Sequence, residues 1–356
     1  MAHLNINLSK IQYNALTIQR LLAHRDIHMT PVLKCIAADQ RIIQCLNEIG
    51  LSHFGESRLH HIEKDGHNEN TYTVLRAPNH TEYDKLIKLS QISVQTDLHI
   101  IEQLNEAAER LGRKHRILLM VDWKDAREGV LTYDVADYIE AILKMRHIYL
   151  EGLAFNFLCF QKISPTEEDV RLINAFVNQI EAHIGFELKT ISGGNSSMLP
   201  QIQYHDLGRI NDMRIGESMF RGVDTNTDRA IPVLYQNAIT LTGEIIEINP
   251  RMNLKDNKIY LQAIVDIGTL DTDVSELVPY YENIHIIGAT SDHLMLDLKN
   301  EGHYAVGDEI TFKMGYKAIA QSMYNQQLQR KYEQDVLLQN LQKTHHHINT
   351  SHINHS

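Results

Sequence analysis

Three short stretches of this chain combine residue types that do chemistry together. Thr30-Pro31-Val32-Leu33-Lys34-Cys35 is an apolar run that carries an amine near its end. Burying an ammonium group is costly unless it is paired or neutral. A lysine at the end of such a run therefore suggests a nucleophilic amine. Far downstream lie Ser192-Gly193-Gly194-Asn195-Ser196-Ser197 and Arg214-Ile215-Gly216-Glu217-Ser218. Glycines let backbone N–H groups converge on an anion, and hydroxyl and amide side chains add donors. A strand-end lysine with two such loops suggests a Schiff-base enzyme holding a phosphorylated cofactor.

Two further residues join them. Arg127 follows an apolar stretch, in Asp122-Trp123-Lys124-Asp125-Ala126-Arg127-Glu128-Gly129, and Asn156 ends another. Each residue has a plain structural reading. Lys34 can pair with a carboxylate, Arg127 with its neighbours Asp125 and Glu128, Asn156 can satisfy backbone groups, and Gly193-Gly194 can be a tight turn. Taken singly, those readings are favoured. Taken together, at matching ends of successive strands, the functional reading is the better one.

The elements that must position these residues are legible as apolar runs. Candidate strands are Thr30–Lys34, Ser52–Glu56, Thr71–Ala77, Ile92–Thr96, Arg116–Asp122, Ile148–Phe157, Leu188–Ser192 and Asp212–Gly216. Amphipathic stretches separate them; in Ala37–Ile49, Ile42, Ile43, Cys45, Leu46 and Ile49 recur at helical spacing. Eight strands alternating with helices predict an α/β fold, a (β/α)8 barrel over residues 10–230, with the site at the C-terminal ends of the strands. From Val233 to Phe312 the pattern turns to short strands separated by turns, as in a smaller β-rich C-terminal domain (1–9 and 231–325). Tyr316–Leu341 reads as helix. Thr344–Ser356, with five histidines, reads as a disordered end to a 326–356 tail.

Bulk properties exclude other classes. The 356 residues carry a formal charge of −11, which argues against nucleic acid or anionic membrane as the partner. No apolar stretch approaches a membrane span, and Met1–Asn5 lacks a basic-then-apolar leader. The cysteines Cys35, Cys45 and Cys159 form no CxxC pair, which fits a reducing cytoplasm. No metal site is expected.

These residues, in this order, resemble the alanine racemase-like, fold-type III pyridoxal-phosphate enzymes, and most nearly the alanine/ornithine racemase branch. Val32-Leu33-Lys34-Cys35, Gly55-Glu56-Ser57-Arg58, Met120–Gly129, Ser192–Ser197, Met213–Gly222, Asp266–Asp273, Gly288–His293 and Val306–Glu309 carry the likeness, over roughly residues 3–325. The resemblance implies pyridoxal 5'-phosphate as cofactor, bound to Lys34 as an imine, and a head-to-tail homodimer. It implies Arg214 facing the pyridine nitrogen and Arg127 near the phenolic oxygen. Ser196 and the backbone of Gly216 and Glu217, beside Ser218, would hold the phosphate, with Gly193, Gly194 and Asn195 shaping the loop.

Three positions depart from alanine racemases proper: Ala38 stands for a tyrosine, Asn156 for a histidine, and Thr269 for the tyrosine that serves as second base. The opposite-face base is then one of Cys159, Tyr316, Tyr324 and His293. Asp271, Asp273, Ser291 and Asp292 are candidates for substrate contact, the carboxylates favouring a basic amino acid such as ornithine over alanine. The rival functions are a lyase of the same fold type, of the D-threonine aldolase or D-serine dehydratase kind, a decarboxylase, and a pyridoxal-phosphate carrier without turnover.

Overall fold

The computed structural model describes residues 1–66, 69–254, 257–281, 283–299 and 302–335. After β1 (His3–Asn7) come eight barrel strands: β2 (His28–Pro31), β3 (His53–Glu56), β4 (Thr71–Val74), β5 (Ile92–Gln95), β6 (His115–Met120), β7 (Ile148–Ala154), β8 (Thr190–Ser192) and β9 (Asp212–Ile215). They lie in the order β2-β9-β8-β7-β6-β5-β4-β3 and every neighbouring pair is parallel. A bridge between Val32 and Gly55 joins the two ends, so the sheet closes on itself.

The closure follows from residue alternation. On β6, Ile117 and Leu119 face the helices, while Leu118 and Met120 turn inward with Val94 and Ala154 against Leu75 and Ile92. The outer layer is helical because each inter-strand segment carries an apolar stripe and a cap. Glu167–Ile184 is the clearest case: Thr166 and Asp169 form a reciprocal capping box, and Gly185 ends the helix at φ +81°. Strand β7 presses on β8 at Gly152, where a Cβ would lie 1.7 Å from the Thr190 carbonyl oxygen.

A two-strand ribbon follows, β10 (Val223–Asp224) with β11 (Arg229–Ala230). A second sheet is antiparallel along β12 (Ile239–Met252), β13 (Ile259–Val265), β14 (Leu277–Pro279), β15 (His285–Ala289), β16 (Leu294–Asp297) and β17 (Glu309–Met314), in the order β14-β17-β12-β13-β16-β15. Strand β1 pairs antiparallel with β12.

The C-terminal part differs from expectation. The helix predicted over Tyr316–Leu341 ends at Tyr324, and Gln329–Glu333 forms β18, parallel to β1. Thus the 326–356 tail begins as sheet. The physical reason is an open edge: β1 offers unpaired backbone groups on its free side, and the alternating stretch Gln329-Arg330-Lys331-Tyr332-Glu333 satisfies them. Its anchor is Asp39, which accepts hydrogen bonds from Arg330 Nη1 and the Tyr332 hydroxyl, each at 2.6 Å. The histidine-rich stretch 344–356 lies outside the described residues.

Candidate active site at the barrel mouth

Lys34 stands three residues past β2. The strand expected over Thr30–Lys34 stops at Pro31; Val32 still bridges to β3, and Lys34 opens a single 3-10 turn, Lys34–Ile36. Ala37 and Ala38 then take left-handed φ values of +51° and +48°. This sparsely populated geometry lets the chain reverse before the Gln40–Asn47 helix. Asp39 caps that helix, accepting from the Arg41 and Ile42 amides. The lysine is therefore half-buried on a tight turn rather than sunk in a strand. Its Nζ lies 6.0 Å from the Tyr316 ring centroid, and the Tyr316–Tyr324 helix packs on the same turn.

Arg214 sits inside β9, with 5% of its surface exposed. Its guanidinium donates to the Ser192 hydroxyl and to the Phe155 carbonyl oxygen, the latter at 2.5 Å. Ser192 in turn donates to Asp212, which also accepts from Thr30 Oγ1 at 2.7 Å. Burial lowers the Arg214 pKa from its ordinary value, with Asp212 opposing. Burial works to raise the Asp212 carboxyl, but hydrogen bonds from His28, Ser192 and Thr30 and the charge of Arg214 leave it below its ordinary value. The guanidinium is thereby fixed as a buried hydrogen-bond donor beside the ends of β7 and β8.

The anion cradle comes from the ends of β8 and β9. Gly194 has φ +138°, and a Cβ on Gly193 would come within 2.4 Å of Ile210, so both positions require glycine. Asn195 caps the short Ser196–Met198 turn, accepting from the Ser197 amide at 2.8 Å. Ser196 Oγ accepts from the Ser218 amide at 3.2 Å. Among the described residues the backbone amides of Gly216 and Glu217 find no acceptor, and the buried Ser197 hydroxyl has no partner. Buried polar groups are normally satisfied, so the Ser197 hydroxyl, together with the half-buried amides of Gly216 and Glu217, fits an anion. Glu217, its carboxyl raised by burial, pairs with Arg221 Nη1 at 2.5 Å.

The third wall is the loop after β7. Asn156 is buried; its Nδ2 donates to Cys159 Sγ at 3.0 Å and to Asp125 Oδ2 at 3.4 Å. Asn195 Nδ2 reaches Asn156 Oδ1 at 3.2 Å, the Phe157 carbonyl at 2.8 Å and Cys159 Sγ at 3.5 Å. Asp125 Oδ1 accepts from the amides of Cys159, Phe160 and Gln161 at 3.1, 2.9 and 3.3 Å. Arg127 is on the rim, paired with Glu128.

The structure thus brings Lys34, Arg214, Asn156, Cys159, Tyr316 and the two anion loops to one barrel mouth. Asp271, Asp273, Ser291 and Asp292 form hydrogen bonds within their own turns: Asp271 accepts from the Gly268 amide, Asp273 from Ser275, and Ser291 donates to Asp292. Two residues of the site are not legible as such in the sequence: Asp125, whose neighbours suggest a surface pair with Arg127, and Asp212, whose one signal is its place two residues before Arg214. Glu56, within the Gly55–Arg58 stretch named above, is fully buried at the end of β3 with His61 Nδ1 3.4 Å away. Among the described residues no group of three His, Cys, Asp or Glu side chains could hold a metal ion, and no helix is long and apolar enough to cross a membrane.

Residues 6–223 match the family model of the alanine racemase N-terminal domain. The chain is 28% identical over 347 residues to an ornithine racemase from Acetoanaerobium sticklandii, covering 92% of this chain and 98% of that one. It is 28% identical over 350 residues to a lysine racemase from Thermotoga maritima, covering 93% and 98%. Among solved structures, an alanine racemase from Clostridium difficile 630 superposes with a TM-score of 0.74 at 19% identity, covering 94% and 96%. A D-threonine aldolase from Filomicrobium marinum reaches 0.75 at 16% identity, covering 91% and 88%. At such identities these two likenesses show the fold alone. With the barrel closed, the lysine at its mouth and most of the barrel matched by one family model, the chain belongs to the alanine racemase family and is an isomerase of the racemase kind.

Proposed function

We propose that this racemase uses pyridoxal 5'-phosphate and interconverts the L and D forms of a basic amino acid, ornithine or lysine, in preference to alanine. One observation carries the reading. Lys34, the buried Arg214 and the unsatisfied donors of Ser197, Gly216 and Glu217 surround the same mouth. The two long relatives, an ornithine and a lysine racemase, support the substrate class.

Lys34 would hold the cofactor covalently, Arg214 would face its ring nitrogen, and the Ser196–Ser197 and Gly216–Ser218 segments would grip its phosphate. The chemistry the cofactor supplies when bound is electron withdrawal from the amino acid's Cα, which acidifies the Cα proton. Lys34 Nζ takes or gives that proton on one face. Arg214, kept cationic beside Asp212, donates a hydrogen bond without giving up its proton. A donor of this kind limits the electron sink and so restrains competing reactions.

A second copy, docked head to tail, would bring Asp271, Asp273, Ser291 and Asp292 of one chain to the other's mouth, where the carboxylates suit a distal ammonium. The exposed Leu270, Val278, Tyr281 and Ile287 on the second domain support such docking. The free thiols support residence in the cytoplasm.

The test is a Lys34→Ala variant. The wild-type protein given pyridoxal phosphate is expected to turn yellow, to be trapped by borohydride at Lys34, and to convert L-ornithine to the racemate; the variant is expected to do none of these. A colourless wild type, or a fully active variant, overturns the reading.

A further inference from the structure

Racemisation needs a proton carrier on each face of the substrate, and Lys34 supplies one. Tyr316 and Tyr324 are poorly placed to be the other. Tyr316 stands over Lys34 itself, on a helix packed against the lysine's turn. Burial, reinforced by Cys35 and Glu217, pushes its phenol far above the ordinary range, so it holds its proton. Tyr324 packs its ring 5.3 Å from His61, just past β3, the strand beside β2. Both tyrosines therefore flank the lysine. His293 follows Asp292 in the turn between β15 and β16 of the second domain, so it would reach a mouth only from a second copy, whereas Cys159 belongs to the same chain's mouth as Lys34.

Cys159 differs on each count. It follows β7, three strands around the barrel from β2, with β9 (Arg214) and β8 (leading to Ser196) between. The loops that follow β9 and β8 therefore lie between those of Lys34 and Cys159 in the order of the barrel. The sulfur receives two amide donors, Asn156 Nδ2 at 3.0 Å and Asn195 Nδ2 at 3.5 Å. It also lies in the fields of both Arg127 and Arg214. The two side-chain amides hold the sulfur in place at the mouth. The surrounding loop is pinned by the three amides that Asp125 accepts.

We propose that Cys159 is the acid–base residue on the face of the substrate opposite Lys34. The proposal rests on the racemase reading above. In one direction the Cα–H bond breaks toward Lys34 Nζ, which becomes an ammonium, and the Cys159 S–H bond delivers its proton to the other face of Cα, leaving a thiolate. In the other direction the thiolate accepts and the ammonium donates. Exchange with water resets the pair, so no oxidant or reductant is consumed.

The experiment follows Cα-proton exchange in deuterated water from each enantiomer of ornithine, in Cys159→Ala, Cys159→Ser and Lys34→Ala proteins loaded with pyridoxal phosphate. In Cys159→Ala, exchange from the enantiomer served by Lys34 is expected to persist within about 3-fold, while exchange from the other, and net racemisation, fall ~100-fold or more, the scale of a lost general acid–base. The serine variant, with a far weaker acid at the same place, should behave like the alanine variant. Equal exchange from both enantiomers in Cys159→Ala overturns the proposal and leaves the racemase reading standing; full activity in Lys34→Ala overturns the racemase reading itself.

A readout without turnover uses the apoprotein. Cys35 and Cys45 are buried, their thiols pushed up by burial, so iodoacetamide should label Cys159 alone. Its labelling is expected to slow several-fold in Asn156→Ala and when pyridoxal phosphate with ornithine fills the mouth. Labelling indifferent to both would mean that Cys159 faces away from the site, which overturns the proposal.

Discussion

Asp125→Ala is the perturbation that best separates a positioning group from a structural one. The carboxylate accepts three loop amides at 2.9–3.3 Å and the Asn156 amide at 3.4 Å. Hydrogen bonds to a charged acceptor are worth about 1.5–3 kcal/mol each when buried. Two of these are long, and residues 159–161 are exposed, so water can take over the freed amides. Discounted to about 0.5–0.75 kcal/mol each, the four bonds sum to about 2–3 kcal/mol. Against that stand the cost of burying the carboxylate and the left-handed backbone at Lys124 and Ala126, φ +62° and +47°. Both are relieved in the variant, at about 1 kcal/mol. Global stability should therefore fall by only about 1–2 kcal/mol, measurable by urea unfolding.

The local effect should be larger than the global one. Losing about 2–3 kcal/mol from the loop alone raises the exchange rates of the amides at 159–161 by about 30–150-fold, at tenfold per 1.4 kcal/mol. Hydrogen exchange read by mass spectrometry on the peptide spanning the loop tests this directly. Racemisation should drop about tenfold or more in kcat with a smaller change in KM, because the loop positions groups and does not grip the substrate. Loop amides that exchange within about 3-fold of wild type would refute the reasoning, since the bonds would then carry no energy.

Two other perturbations have definite expected outcomes. Asp39→Ala removes a helix cap and takes the carboxylate from Arg330 Nη1 and the Tyr332 hydroxyl, leaving Arg330 only its bond to the Met323 carbonyl oxygen, and should cost about 3 kcal/mol, against about 1 kcal/mol for Tyr332→Phe; a loss below about 1 kcal/mol on urea unfolding of Asp39→Ala would mean that β18 is held by its backbone pairing alone. Burial pushes His115 from its ordinary 6.5 down to about 4, with its ring bonded to Ser93. As pH falls below 6.5 the unfolded chain binds this proton and the folded chain does not, so up to about 3 kcal/mol of stability drains away toward pH 4. His115→Asn should flatten stability against pH across that window, and an unchanged slope would count against a neutral buried ring.

What the sequence determined by itself is the barrel, because its signals are local. Eight apolar runs spaced by amphipathic stretches must bury one edge and one stripe apiece, and closure does both. The same locality located Lys34, Arg214 and the glycine loops, since glycine and a lone cation in an apolar run have few other uses. Tertiary structure alone decided who partners whom. Asp125 is adjacent in sequence to charged residues and looks like half of a surface pair, yet it folds inward against a loop more than thirty residues away. Arg330 and Tyr332 sit in a segment with helix-compatible composition, and only the free edge of β1 and the carboxylate of Asp39 make it a strand. Propensity acts over a few residues, whereas edge pairing and charge burial depend on neighbours that sequence distance does not reveal.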